Sequence, residues 1–265
     1  MRVEVVHWNP PRRRARGLVG HLLPKLPPPN NFGDLLGPII VAEILNRSEC
    51  EISLEGPTRR LLTVGSIIRL ARTGDVVWGS GVNGKSLNAR FDFDSLDVRA
   101  VRGPLTRDFL VDRGIDVPEV YGDPGLLVGR LWGRELAASG YPRREVTVVP
   151  NLNDFGLYER TSNVLHPGSP ISECLARIAA SDFVTGSSLH AVVLAESWGI
   201  PARLVSSPHE PQFKYADYYS GTGRDGFSAA RSVREAIVLG GEPAPVWDAD
   251  SLLASFPFDL WSEGG

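Results

Sequence analysis

The chain has 265 residues, with 28 lysines and arginines against 31 aspartates and glutamates, so its formal net charge of -3 gives no global reason to bind nucleic acid. An apolar fraction of 42% and a charged fraction of 22% are those of an ordinary globular protein and exclude a disordered or fibrous one. The two cysteines, Cys50 and Cys174, are too few for a disulfide scaffold and lack the close pairing of a zinc site, so a reducing, cytoplasmic setting without a structural metal is expected.

Val3 to Trp8 reads as a first strand. It lacks the uninterrupted apolar core of a signal peptide, and nothing in the chain approaches the ~18 apolar residues of a membrane span. Pro10 to Asn31 holds Arg12, Arg13, Arg14, Arg16, Lys25 and a run of prolines, so it reads as a long surface loop. Its basic run is compatible with peripheral attachment to an anionic membrane, and equally with a merely solvated segment. Asp34 to Leu45 follows as a helix, with Leu35, Ile39, Ala42 and Leu45 three or four apart.

Leu61 to Val64, Asp75 to Trp78 and Val98 to Val101 are short strand-like runs near glycines, and Pro104 opens a helix that continues to Asp112. The stretch from Gly129 to Arg144, rich in glycine, arginine and small residues, marks a boundary. We therefore divide the chain at 132/133, giving an N-terminal Rossmann-like domain over 1–132 and a C-terminal one over 133–265. In the second half, Val146 to Val149, Asp182 to Thr185 and Ala202 to Val205 read as strands. Ile171 to Ala180, Leu189 to Trp198 and Ala229 to Leu239 read as helices. Strands alternating with helices predict parallel, doubly wound sheets, hence an α/β fold. Ser251 to Trp261 reads as a terminal apolar segment packed on the body.

Gly186-Ser187-Ser188-Leu189-His190 carries the strongest chemical signal, because a buried strand there turns through small residues straight into an apolar helix. Free amides at a helix start, two hydroxyls and the helix dipole favour a phosphate or carboxylate. The plain alternative is that Ser187 only caps the helix and His190 is a core residue. Asn31, Gly33 and Asp34 begin the first long helix at the same sheet end, although capping alone would explain Asp34. Trp78 to Gly84, with Gly79 and Ser80, forms a glycine-rich wall that lacks both the dinucleotide fingerprint and the P-loop ending. Arg99, Arg102 and Arg107 flank a strand end where a carboxylate could be held. Asp123, in Tyr121-Gly122-Asp123-Pro124, is a general base or a turn residue. Lys214, with Tyr215, Tyr218 and Tyr219, offers a cation among aromatic faces, or a loop packed down by its tyrosines.

Taken in order, Asn31-Phe32-Gly33-Asp34, Trp78-Gly79-Ser80-Gly81, Arg102-Gly103-Pro104-Leu105-Thr106, Tyr121-Gly122-Asp123-Pro124, Gly186 to Ala191 and Lys214 with Asp217-Tyr218-Tyr219 resemble the polysaccharide pyruvyltransferase family, in particular its short bacterial exopolysaccharide members. The resemblance implies two Rossmann-like domains facing across a cleft, as in GT-B glycosyltransferases. It implies transfer of pyruvate from phosphoenolpyruvate to a saccharide acceptor, lipid-linked or not, as a cyclic ketal with release of phosphate. No cofactor or nucleic acid is implied. Arg102 and His190 map to family positions near the donor, so the expected catalytic set is His190, Asp123 and Arg102. Asn31, Gly33, Asp34, Gly79, Ser80, Ser187, Ser188, Leu189, Lys214 and Tyr218 are expected to bind substrate. One position departs from the family pattern: many members have arginine two residues before the histidine, where this chain has Ser188, so Arg102, Arg203 or Lys214 must supply the cation. A GT-B nucleotide-sugar glycosyltransferase is the alternative enzyme.

Overall fold

The structure is a computed structural model that describes residues 2–11, 27, 28, 30–48 and 58–262. The basic run Arg12 to Arg16, Lys25 and Cys50 lie outside the described residues. The first half contains β1 (Arg2–Val6), α1 (Phe32–Arg47), β2 (Thr58–Leu62), β3 (Val76–Ser80), β4 (Asp97–Val101) and α2 (Pro104–Val111). Its strands pair in parallel in the order β1-β2-β3-β4. Two short helices, α3 (Val128–Trp132) and α4 (Arg134–Ala138), fill the stretch read as a boundary. After them come β5 (Arg144–Val148), α5 (Ile171–Ala179), β6 (Ser181–Gly186), α6 (Leu189–Ser197) and β7 (Ala202–Leu204), with a second parallel sheet in the order β5-β6-β7. The chain ends with α7 (Phe213–Gly221), α8 (Val233–Leu239) and α9 (Ala249–Ala254). Among the described residues no helix is long and apolar enough to cross a membrane.

The near-continuous apolar runs in the strands have a physical reason, since these strands are covered on both faces. Leu61, Val76 and Trp78 join one apolar cluster, whereas their neighbours Leu62 and Val77 join another on the opposite face. The first cluster also takes Phe32, Leu36 and Ile40 of α1, Val184 of β6, and Leu189 and Val193 of α6, so one apolar layer runs from the first sheet to the second. Cys174 belongs to this layer, and burial pushes its thiol up to about 12. The terminal segment returns to the first sheet: the indole of Trp78 donates to the Leu252 carbonyl and packs edge-on to Phe256, which stacks on Trp261.

Two elements differ from the sequence reading. The segment from Phe213 onward is a helix, because Tyr215, Asp217, Tyr218 and Tyr219 are all buried against the body. Helix α8 begins four residues later than expected, since Ala230 is held extended in a bridge to Val205 and Ser232 caps the helix.

A buried polar hub ties the halves together. Arg102, at the end of β4, donates through Nε to Asp217 Oδ2 of α7 at 2.9 Å, and both side chains are fully buried. Thr106 donates its amide and hydroxyl to the same carboxylate at 2.8 and 2.7 Å. The chains can approach this closely only because of two glycines. A Cβ on Gly103 would stand 1.9 Å from the Asp217 carbonyl oxygen, and one on Gly221 would stand 2.2 Å from that of Arg102. Removing one partner of a buried pair leaves an uncompensated charge, so Asp217→Ala is expected to cost about 3–5 kcal/mol in urea unfolding.

Asp123 is also fully buried, with Oδ1 accepting from the Gly125 amide at 2.9 Å and Oδ2 unpartnered. Burial raises its pKa to about 6, against the lowering effect of the Gly125 amide and Arg102. A raised folded-state value stabilises the protonated fold, so that stability is present below the unfolded pKa and lost as pH rises through about 6. Asp123→Asn should remove this loss. The wild type should therefore fall relative to the variant by up to about 3 kcal/mol between pH 4 and pH 7 in urea titrations, and parallel curves would contradict the assignment.

A candidate active site at the strand ends

Both sheets point their carboxyl ends at one cavity of about 300 Å³. Trp8 follows β1, Ser66 to Leu70 follow β2, and Asn83 to Ser86 follow β3. Asn151 follows β5, Ser188 to His190 open α6, and Asn31 and Asp34 open α1. Lys214, in the first turn of α7, completes the wall. Asn31 with Asp34 and Ser188 with His190 thus line the same cavity.

Helix α6 begins at the cavity because Ser188 is extended and its hydroxyl accepts from the Ala191 amide. The preceding amides of the first turn have no ladder partner and, with the helix dipole, favour an anion. His190 lies in that turn, packed on Gly33, where an added Cβ would stand 2.1 Å from Nδ1 of the imidazole. Gly33 therefore admits the ring instead of touching the cavity. The Nε2 of His190 is buried without a hydrogen-bond partner among the described residues. Burial, together with the charges of Lys214 and Arg102, lowers its pKa to about 3, so the imidazole is neutral.

Cations dominate the rest of the wall. Lys214 donates to Glu210 Oε2 at 2.8 Å, and Lys85 pairs with the other oxygen of the same carboxylate. Burial lowers the Lys214 pKa against the opposing pull of Glu210. Arg69 is exposed at the cavity, with no ion pair or hydrogen-bond partner among the described residues. Asp34 is the acid of the wall; burial raises it to about 6 although Asn31 donates to Oδ2 at 2.8 Å.

Several residues expected at the site lie behind it. Arg102 does not line the cavity, because its guanidinium is spent on Asp217, the Val82 carbonyl and Ser66 Oγ, at 2.9, 2.9 and 2.5 Å. Asp123 is sealed in the interior, which removes it as a base for a ligand there. Ser80 donates to the Gly65 carbonyl, and Gly79, at φ 77°, lies against Pro124. Tyr218 donates to Glu196 at 2.5 Å, and Ser187 accepts from the amide and the side chain of Asn151 at 3.1 Å each. Arg99 pairs with Asp97 and Asp259, Arg107 with Asp108 and Glu119, and Arg203 with Glu242. Conversely, Ser66, Arg69, Lys85 and Asn151 line the cavity without having been singled out from sequence. For Arg69 a signal was present, a single charge inside the apolar turn Ile67-Ile68-Arg69-Leu70.

The chain is similar to known proteins. A family model described as polysaccharide pyruvyl transferase matches residues 52–209, a span that holds Arg69, Lys85, Asn151 and His190. The succinoglycan biosynthesis protein ExoV of Rhizobium meliloti (strain 1021) is 27% identical over 176 residues, covering 61% of this chain and 53% of that protein. The chain thus spans about half the length of that curated relative. A solved structure of an uncharacterized protein from Klebsiella pneumoniae subsp. pneumoniae NTUH-K2044 covers 74% of this chain and 85% of that one at 10% identity. Its TM-score of 0.41 is too low to carry an argument.

The electrostatics give a direct test. With the site empty, His190 should stay uncharged down to about pH 4 in nitrogen-resolved NMR. Inorganic phosphate should raise its pKa, because an anion offsets the neighbouring cations and stabilises the imidazolium. An imidazole that is charged at pH 6 without phosphate would refute the assignment.

Proposed function

The chain belongs to the polysaccharide pyruvyl transferase family, and from that premise we propose that it transfers pyruvate from phosphoenolpyruvate to two hydroxyls of a saccharide precursor, forming a cyclic ketal and releasing phosphate. The observation that carries this reading is the set of cations Arg69, Lys85 and Lys214 around the start of α6, with the unpartnered Nε2 of His190 among them. Phosphoenolpyruvate carries a phosphate and a carboxylate on one three-carbon unit, which suits a cavity of about 300 Å³ walled by separated cations.

In this reading Arg69 supplies the cation that many family members place where this chain has Ser188. Lys85 and Lys214 meet the second anionic group, and Glu210 keeps the two ammonium groups from repelling each other in the empty site. A bound trianion raises the pKa of His190, so the imidazole becomes charged when the donor is present. It then serves as the acid that delivers a proton to the methylene carbon or as a ligand of the leaving phosphate. The cavity is read as the interdomain cleft of a GT-B-like pair of Rossmann-like domains, 1–132 and 133–265, acting in the cytoplasm.

The experiment is incubation of the pure chain with phosphoenolpyruvate and a panel of methyl galactosides, glucosides and N-acetylhexosaminides, following phosphate release. Uridine and guanosine diphosphates serve as controls for the nucleotide-sugar alternative. Turnover with at least one saccharide is expected. Neither turnover nor calorimetric binding of phosphoenolpyruvate would overturn the proposal. Arg69→Ala, which breaks no hydrogen bond or ion pair among the described residues, is expected to weaken phosphoenolpyruvate binding by about 10- to 100-fold, as loss of a charge-assisted hydrogen bond does. His190→Ala should reduce turnover by about 10²-fold or more with an unchanged melting temperature.

A further inference from the structure

Ketal formation requires a base for the sugar hydroxyl, and the interior position of Asp123 leaves that role unfilled. Bonded to Asn151 of the cavity wall stands a pair not singled out from sequence. Nδ1 of His209 lies 2.6 Å from Oδ1 of Asp154, a carboxylate with no solvent exposure. The second oxygen of Asp154 accepts from Asn151 Nδ2 at 2.6 Å, so both are engaged. Burial alone would raise the Asp154 pKa, but hydrogen bonds from Ser187, His209 and Ser207 hold it below the usual carboxylate range. An ionised carboxylate only accepts hydrogen bonds, so the imidazole places its proton on Nδ1 and leaves the lone pair of Nε2 free.

The orientation follows from exposure. The His209 side chain is 51% exposed although its Nδ1 edge faces a buried group, so the opposite, Nε2 edge carries the exposure. The pair is joined to the cavity at two points. Asn151, which lines the cavity, bonds both Asp154 and Ser207, and Ser207 accepts the backbone amides of His209 and Glu210. Glu210, the next residue, holds the cavity cations Lys85 and Lys214. Tyr158 is a further titratable group close to Asp154. His209 is thus tied to the cavity through Asp154 and Asn151, and an acceptor sugar entering beside Asn151 would meet its exposed edge.

We propose that His209 is the general base for the acceptor, with Asp154 as the positioning residue that fixes its tautomer. The inference rests on the pyruvyl transfer proposed above. Nε2 takes the proton of the first sugar hydroxyl as its oxygen bonds to the central carbon of the donor, while the methylene carbon gains a proton to become methyl. The second hydroxyl oxygen then displaces phosphate from the same carbon, and its proton leaves with the phosphate. The methylene proton comes from His190, which regains one from solvent, while His209 releases the proton it took to solvent; the two hydroxyl protons lost thus match the one gained by carbon and the one gained by phosphate, and the step needs no oxidant or further reactant.

The test uses the saccharide that supports turnover by the wild-type chain. His209→Gln and His209→Ala should lower kcat by about 10²-fold or more, with phosphoenolpyruvate affinity and melting temperature unchanged. Added imidazole should restore part of the activity of His209→Ala, which a merely structural role would not allow. Asp154→Asn should lower kcat without raising the KM for phosphoenolpyruvate. Full activity of His209→Gln overturns the inference alone, as does a slow, unstable His209→Ala that imidazole does not rescue. A wild-type chain silent with every acceptor overturns the pyruvyl transfer reading, and this inference with it.

Discussion

The structure depends on the buried guanidinium of Arg102. This one group bonds Asp217 of α7, the Val82 carbonyl after β3 and the Ser66 hydroxyl after β2. Each contact holds a different wall of the cavity in place: Ser66 lines it directly, Val82 precedes Asn83 and Lys85, and Asp217 lies one helical turn after Lys214. A planar group with five fixed donors suits such a task, since a lysine could satisfy one wall but not three. The desolvation of the pair is offset because Thr106 donates twice to the same carboxylate. An arginine that looks from sequence like a ligand of the substrate thus acts as the pin around which the site is built.

From that pin the electrostatics of the cavity follow. Holding Lys214 at the wall, with Lys85 beside it, concentrates positive charge next to the start of α6, where the helix dipole has the same sign. Glu210 neutralises part of this charge, yet His190 still feels the charges of Lys214 and Arg102 and has no hydrogen-bond partner at Nε2 among the described residues. A neutral imidazole is the physical response to that environment, and it ties the protonation of His190 to the arrival of an anion. A site of this kind is preorganised for a negatively charged ligand, because its donors are in place before the ligand arrives.

Much of the framework was legible in the residues. The strands β1, β3, β4 and β6 and the helices α1, α2 and α6, whose read bounds fall within two residues of the observed ones, follow from apolar runs and their terminators, because a sheet covered on both faces needs such runs. The segment from Gly186 to His190 was legible for the same reason, as was the glycine-rich turn whose Asn83 lines the cavity. The helix from Phe213 to Gly221 was not, because its tyrosines and aspartate are buried around its circumference and leave no clean apolar stripe. The late start of α8 was hidden as well, since a bridge between Ala230 and Val205 is a long-range pairing that no local pattern records.

What the sequence determined by itself was an α/β fold with parallel strands and, together with the family resemblance, the grouping of Asn31, Asp34, Ser188, His190 and Lys214, which line one cavity. Those assignments rest on local chemistry, namely where a strand stops, what caps a helix and which side chain follows. Only the tertiary structure decided which polar groups face the cavity and which face each other. Arg102 and Asp123 turn inward because interior groups meet them, Asp217, Val82 and Ser66 for Arg102 and the Gly125 amide for Asp123, whereas Arg69 has no partner among the described residues and Lys85 is held by the carboxylate of Glu210. The His209 and Asp154 pair, 55 residues apart, belongs to the same category. Burial and pairing are properties of the packed chain, so the same arginine or aspartate can be a ligand or a strut until the packing is known.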